Sequence, residues 1–278
     1  MKNNSYEETT QFILIEGKRL AYRRFGSGKP LVLVNRFRGT MDTWDPLFLS
    51  SLATKNELIL FDYPGIGESE GQLPLNILDV AKVVIDFVDA LSVERFNVLG
   101  WSYGGLVAQT MVFLERDKIK RGVLIGTNPP GENATPIAPT FFERALKPVN
   151  DLEDEYILFF EPGSKKSRQA ARESHSRINK RLDRNLIPKD QEVFQRYFSG
   201  AASFKADPLD FRSHYQTLET PVIVISGDHD ISFAAENWFP LLKKAPTLQH
   251  IIFNNAGHAP HFQFPEQSTG YINVFLNS

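Results

Sequence analysis

The 278-residue sequence contains no cysteine, which removes disulfides, thiolate metal sites and a cysteine nucleophile together. That absence fits a reducing compartment, and the cytoplasm is the expected location. A basic excess is also missing. Thirty-one Lys and Arg face 33 Asp and Glu, a formal charge of −2, so no nucleic-acid partner is expected. No apolar run has the length of a membrane span or a signal-peptide core. Residues 1–10 are polar, and Phe12-Ile13-Leu14-Ile15 is too short for either, so no membrane partner is expected. Internal repeats and low-complexity tracts are absent, and no His, Asp and Glu cluster has metal-ligand spacing. Neither a metal nor a cofactor is expected. What remains is ordinary globular material, 42% hydrophobic and 23% charged, able to form a large packed core.

The order of that material predicts an α/β fold. Residues 11–25 give two short apolar-rich stretches around Glu16-Gly17-Lys18, the pattern of a β-hairpin with Gly17 in its turn. Beyond the breaker Gly26-Ser27-Gly28-Lys29-Pro30, nearly continuous apolar runs occur at residues 31–34, 58–61, 96–99, 123–125 and 222–225. Such runs suit strands buried on both faces of a parallel sheet. Between them Leu78, Ala81, Ile85 and Val88 share one helical face, and strand-helix alternation is the α/β signature. The alternation stops after Ile125. Residues 129–205 carry charge, helical pattern and Pro/Gly punctuation with no strand-like run, and are expected to form a helical lid inserted into a core of residues 1–128 and 206–278.

Gly100-Trp101-Ser102-Tyr103-Gly104 follows one apolar run and opens a helical stretch at residues 106–114, the strand-turn-helix setting of a nucleophile elbow. The glycines answer a steric need, since strand and helix backbones converge around the serine. A serine hydroxyl needs a base, and the base an orienting acid. Residues 222–225 run into Ser226-Gly227-Asp228-His229-Asp230, which puts two carboxylates at a strand end. A further strand pattern at residues 248–253 leads to His258 on the following loop, where a base could reach the serine.

With these segments in view, together with Asp62-Tyr63-Pro64-Gly65-Ile66-Gly67-Glu68-Ser69, the chain resembles the α/β-hydrolase superfamily in its lid-bearing branch. The resemblance implies a mostly parallel sheet flanked by helices, Ser102 as nucleophile, His258 as base and Asp230 as acid. Asp228 is then expected to be a turn-former bonding its own backbone. Asn128, where some relatives carry the acid, is uncharged. His261 is the weaker base candidate, His229 a solvated loop side chain, and His175, His214 and His250 surface or packing residues. The family's oxyanion hole would take backbone N–H groups of Tyr103 and Phe37. Here the chain departs from the pattern: Asn35-Arg36 stands where relatives commonly carry His-Gly, and Arg36 lacks glycine's freedom at positive φ.

The expected function is a cofactor-independent serine hydrolase acting on a small ester, thioester or lactone through an acyl-enzyme on Ser102. The alternatives are carbon-carbon bond hydrolysis, perhydrolase or haloperoxidase-like chemistry, or ligand sensing on a hydrolase scaffold. Arg38, Trp101 and Trp238 are candidate pocket residues for the small-molecule substrate, along with Phe37, Trp44 and Tyr103. Arg36 and Arg38 could attract an anion, though outward ion pairs are the commoner use of arginine. Lid aromatics Phe141, Phe142, Tyr156, Phe159, Phe160, Phe194 and Phe198 are expected to face inward. The basic run at residues 165–184, eight Lys or Arg against two acids, should face solvent.

Overall fold

The computed structural model describes residues 8–278; residues 1–7, part of the polar start, lie outside the described residues. Eight strands form one sheet in the order β1-β2-β4-β3-β5-β6-β7-β8. β1 (Gln11–Ile15) and β2 (Lys18–Gly26) make the expected hairpin. Its two turn residues, Glu16 and Gly17, have φ of 48° and 77°, positive at both as a type I′ turn requires. β2 also runs antiparallel to β4 (Asn56–Phe61), and every other pairing is parallel.

The remaining strands are β3 (Lys29–Val34), β5 (Phe96–Trp101), β6 (Ile119–Ile125), β7 (Val222–Gly227) and β8 (Leu248–Phe253). Apart from the edge strand β8, whose Ile252 is exposed, their apolar runs are buried on both faces because side chains alternate between two cores. Leu31, Leu33, Leu58 and Leu60 join α1 (Pro46–Leu52) and the C-terminal α11 (Pro265–Asn277) on one side. Val32, Val34, Ile59 and Phe61 join α2 (Ile77–Ala90) and α3 (Tyr103–Leu114) on the other. Ala81, Ile85 and Val88 of the anticipated helical face are buried there, and Leu78 packs partly buried against them.

Between β6 and β7 the chain forms α4 (Pro139–Ala145), α5 (Leu152–Phe159), α6 (Lys165–Ile178), α7 (Gln191–Ala206) and α8 (Phe211–His214), with no strand. Two further short helices, α9 (Phe239–Leu242) and α10 (Pro260–Gln263), flank β8. Helix α5 reaches the loop beyond β8, where the Phe159 carbonyl accepts the Ala259 N–H at 2.8 Å. A Cβ built on Gly257 would fall 2.4 Å from the Phe160 carbonyl oxygen.

The basic run does not face solvent throughout. Lys165, Lys166, Arg172 and Lys180 are exposed, but Arg177 grips the fully buried carboxylate of Asp45 with two bonds of 2.9 and 2.6 Å. Arg181 pairs with Asp42 at 3.0 Å, and Asp42 also holds Arg23 at 2.5 Å. The correction has a simple cause: Asp42 and Asp45 lie over 130 residues away in sequence, in the segment leading to α1, and removing them from water is affordable only with cations opposite. Asp45 also accepts the Leu47 N–H at 2.9 Å and caps α1. Asp45→Ala should therefore lower unfolding free energy by about 2–4 kcal/mol, a lost cap plus lost charged hydrogen bonds. Asp45→Asn, which retains a cap acceptor, should cost less in the same urea titration.

Candidate active site

Ser102 sits between β5 and α3 at φ 58° and ψ −121°, a backbone state that L residues occupy only under constraint. The constraint is on both sides: the Ser102 N–H donates to the Ile125 carbonyl of β6 at 2.9 Å, and α3 begins at the next residue. A Cβ on Gly100 would fall 2.2 Å from the Gly104 carbonyl oxygen. One on Gly104 would fall 2.0 Å from that of Val34. Only glycine fits at either position.

Asp230 and His258 come together from the loops after β7 and β8. The His258 Nδ1 to Asp230 Oδ2 distance is 2.7 Å, with both side chains almost wholly buried. The other Asp230 oxygen accepts the N–H groups of Ser232 and Phe233 at 2.7 and 3.0 Å, which fixes the carboxylate plane. Trp101 donates its indole N–H to the His258 carbonyl at 3.1 Å, tying the His258 loop to the residue before Ser102. Ser102 and His258 line one cavity of about 320 Å³.

The neighbouring candidates separate cleanly. Asp228 bonds His229 at 2.7 Å and the Ala256 N–H at 3.1 Å, so it pins the loop after β8 and not its own turn. His261 is enclosed by Trp44, Phe48, Trp101 and Phe262, with neither ring nitrogen partnered among the described residues. Burial first, then the nearby charges of His258 and Arg36, holds it well below the usual histidine range. His229 is half exposed. His250 bonds Ser226, His175 bonds Glu155, and His214 packs beside Phe113. Asn128 accepts from Asn237 at 3.0 Å.

The loop after β3 shows how Asn35 serves in place of histidine. Its amide donates to the Thr40 carbonyl and Thr43 hydroxyl at 2.6 and 3.1 Å, and its carbonyl oxygen accepts the Arg36 N–H at 2.8 Å. Arg36 is not left-handed; the positive φ falls two residues on, 59° at Arg38. Phe37 lines the Ser102 cavity, and its N–H makes no hydrogen bond among the described residues. The Tyr103 N–H, first in α3, has no intrahelical acceptor.

Behind the Ser102 cavity a larger one of about 730 Å³ shares Arg36, Arg38, Asn150 and Phe159 with it. Arg36 and Arg38 both turn inward and make no ion pair among the described residues, contrary to the outward pairs expected. Arg38 donates to the carbonyls of Ala145, Lys147, Pro148 and Pro188, each at 2.8 Å. Its guanidinium thus clasps the insertion from the β3 loop, a use invisible in sequence because its acceptors are backbone oxygens more than 100 residues away.

Of the anticipated pocket walls, Trp238 is misplaced: it is buried against Tyr215 and donates to the Thr127 carbonyl at 2.6 Å, in the other core. Trp101 backs the site from behind, tilted against Phe159 and beneath the Arg36 guanidinium. Trp44 stands in the same layer. Of the insertion aromatics, Phe141 and Phe159 line the Ser102 cavity and Phe160 the larger one. Tyr156 is buried, while Phe194 and Phe198 pack on Phe37. Phe142 is 39% exposed and does not line it, a correction that follows from its place on the outer side of α4. Ala145, Asn150 and Leu158 line the cavity unannounced, since nothing in their local pattern marks them.

The sequence model of the alpha/beta hydrolase fold matches residues 29–265, and the chain belongs to that family. It is a hydrolase. A pimeloyl-[acyl-carrier protein] methyl ester esterase of Nitrosomonas europaea is 24% identical over 255 residues, covering 87% of this chain and 93% of that one. The acetyltransferase component of the acetoin cleaving system of Pseudomonas putida is 26% identical over 94% of this chain and 68% of its own. Among solved structures, an alpha/beta hydrolase fold protein from Chitinophaga pinensis superposes with a TM-score of 0.87 at 26% identity, over 99% of this chain and all of the other.

The elbow geometry yields a direct test. Gly104→Ala should give insoluble protein, or soluble protein whose Ser102 no longer reacts with a fluorophosphonate, because the added methyl meets backbone that has no room to move. Unimpaired labelling with a wild-type melting curve would contradict that steric reading.

Proposed function

We propose that this hydrolase cleaves a small carboxylic ester, thioester or lactone without a cofactor, through an acyl-enzyme on Ser102. The observation that carries the reading is the 2.7 Å His258–Asp230 contact, with His258 lining one cavity together with the strained Ser102. In the proposed cycle His258 Nε2 takes the Ser102 proton as Oγ attacks the carbonyl. The same proton then passes to the departing alcohol, thiol or lactone oxygen, leaving the acyl group on Ser102. Water, deprotonated by His258, attacks the acyl-enzyme and restores the serine. Asp230 holds the Nδ1 proton and stabilises the imidazolium, and the N–H groups of Tyr103 and Phe37 receive the developing oxyanion. The methyl ester esterase among the relatives supports ester chemistry over the carbon-carbon and perhydrolase alternatives. Nothing singles out the ligand-sensing alternative, since the residues for turnover are all present.

We further propose that residues 129–205 act as a lid on a core formed by residues 1–128 and 206–278, Phe141 and Phe159 shaping the acyl pocket. A cysteine-free chain acting on small molecules is best suited to the cytoplasm. Among the described residues no helix is long and apolar enough to cross a membrane.

Ser102→Ala should abolish hydrolysis and fluorophosphonate labelling while leaving the melting curve intact. Asp230→Asn should slow turnover by about 10⁴-fold, the cost of the wrong histidine tautomer in a serine-protease triad, whereas Asp228→Asn should change it by less than about tenfold. A reversed ranking would move the acid to Asp228. Phe159→Ala should alter the order of preference among acyl chain lengths while Ser102 remains labelled. An unchanged order would remove Phe159 from the pocket.

A further inference from the structure

Arg36 occupies an unusual place for a cation. It lies at the junction of the two cavities, in the inner one beside Ser102 and His258 and in the outer one beside Glu155 and Arg184. Its guanidinium carbon is 5.3 Å from the Trp101 ring centre and 4.8 Å from that of Phe159, so two aromatic faces fix its position. Nη1 donates to the Phe37 carbonyl at 2.7 Å, while Nε is enclosed without an acceptor. Among the described residues no carboxylate forms an ion pair with it.

The surroundings share this imbalance. Arg36, Arg38, Arg184 and Lys189 line the outer cavity against the single carboxylate of Glu155. None of those four cations has an ion-pair partner among the described residues, and Glu155 is already bound to His175 at 2.9 Å. Arg184 is spent on the Asn150 carbonyl and the Asn179 side-chain oxygen, and Arg38 on the insertion carbonyls. Arg36 thus differs from both in keeping an enclosed donor unused. A cation removed from water with an unmet donor costs free energy that a structural role does not return. A ligand anion in the cavity would return it. Burial, reinforced by Arg38, brings the Arg36 pKa down to about 10, which leaves it charged at neutral pH.

We propose that Arg36 receives a carboxylate carried by the substrate, so that the preferred esters are half-esters of short dicarboxylic acids, with the ester carbonyl at Ser102. The inference rests on the ester-hydrolase reading above for the position of the carbonyl. The spacer is short because Arg36 and Ser102 line the same small cavity. A guanidinium resting against two contiguous rings presents a planar edge matched to a carboxylate, and a lysine in its place would offer a mobile point charge.

The test compares 4-nitrophenyl hemiglutarate with 4-nitrophenyl valerate, similar in length and differing in the terminal carboxylate. For the wild type, kcat/KM should favour the anionic ester by about tenfold or more, mainly through KM, as a charged hydrogen bond predicts. Arg36→Met should collapse that ratio whatever its absolute rates, and Arg36→Lys should retain part of it. A wild-type preference for the neutral ester would overturn the proposal, as would a loss in Arg36→Met shared equally by both esters. If neither ester turns over, or Ser102 resists a fluorophosphonate, the catalytic reading fails separately. The carboxylate site is then judged by titrating glutarate against the intrinsic tryptophan fluorescence, to which Trp101 beside Arg36 contributes. A saturable change present in wild type and lost in Arg36→Met upholds it, and no change in wild type overturns it.

Discussion

The start of α3 comes so close to the end of β3 that a Cβ at position 104 would overlap the Val34 and Asn35 carbonyl oxygens, at 2.0 and 2.6 Å. This contact determines what else can stand at the sheet edge. It lays the Asn35–Gly39 loop directly against the serine turn, so that Phe37 and Ser102 line one cavity from different elements. It also forces Ser102 into its left-handed state, since the strand must reverse into a helix within one residue. In the proposed cycle, the N-terminal end of α3, with its unpaired N–H groups, would favour the negative charge that develops beside Ser102. Strain at one residue is tolerated because neighbouring elements overdetermine it: β6 holds the Ser102 N–H and the Thr127 side chain crowds Gly105.

A second level of order concerns how the helical insertion is held above that edge. On its flank it is held by carboxylates, with Arg177 on Asp45 and Arg181 on Asp42. Over the cavity it is held differently, by backbone carbonyls converging on Arg38. Carbonyl oxygens satisfy the guanidinium donors without neutralising its charge. The insertion is therefore fastened by the β3 loop itself, and the fastening leaves a positive charge facing the cavities. Asn35 completes the arrangement from inside the loop, linking Thr40, Thr43 and the Arg36 N–H so that the backbone keeps its course without a histidine.

Much of this frame was legible in the residues. Strands β3 to β7 announce themselves because burial on both faces demands unbroken apolar runs, and the elbow because its steric demand admits glycine alone at positions 100 and 104. Asp230 and His258 stand out as candidates because each follows a strand at the sheet's carboxyl edge. The arginines were misread for a physical reason. A charged residue looks outward when its local neighbours offer no partner, and Arg36, Arg38, Arg177 and Arg181 find theirs, or stay without one, through contacts that only the fold creates. One sign was available for Arg36: it sits in Asn35-Arg36-Phe37-Arg38-Gly39, with no acid among those neighbours to pair with it. Trp238 was misassigned because a large aromatic suits either core equally, and sequence does not say which side of a sheet a loop aromatic will choose.

The net charge of −2 conceals the field that matters. Acids and bases nearly balance over the whole chain, yet their pairing is uneven: Asp42 and Asp45 neutralise the cations of the insertion flank, while Glu155 alone faces four cations around the outer cavity. In water such an excess would be screened within about 8–10 Å, but low-dielectric walls of Trp101, Phe159 and Phe160 hold the field within the cleft. The same positive charge near the serine would favour the tetrahedral oxyanion as well as any anionic group on the substrate. The two effects differ in when they act: a carboxylate is charged before the reaction and gains in binding, while the oxyanion appears only in the transition state and gains in turnover. An arginine beside the oxyanion loop can serve both, and the division between KM and kcat distinguishes them.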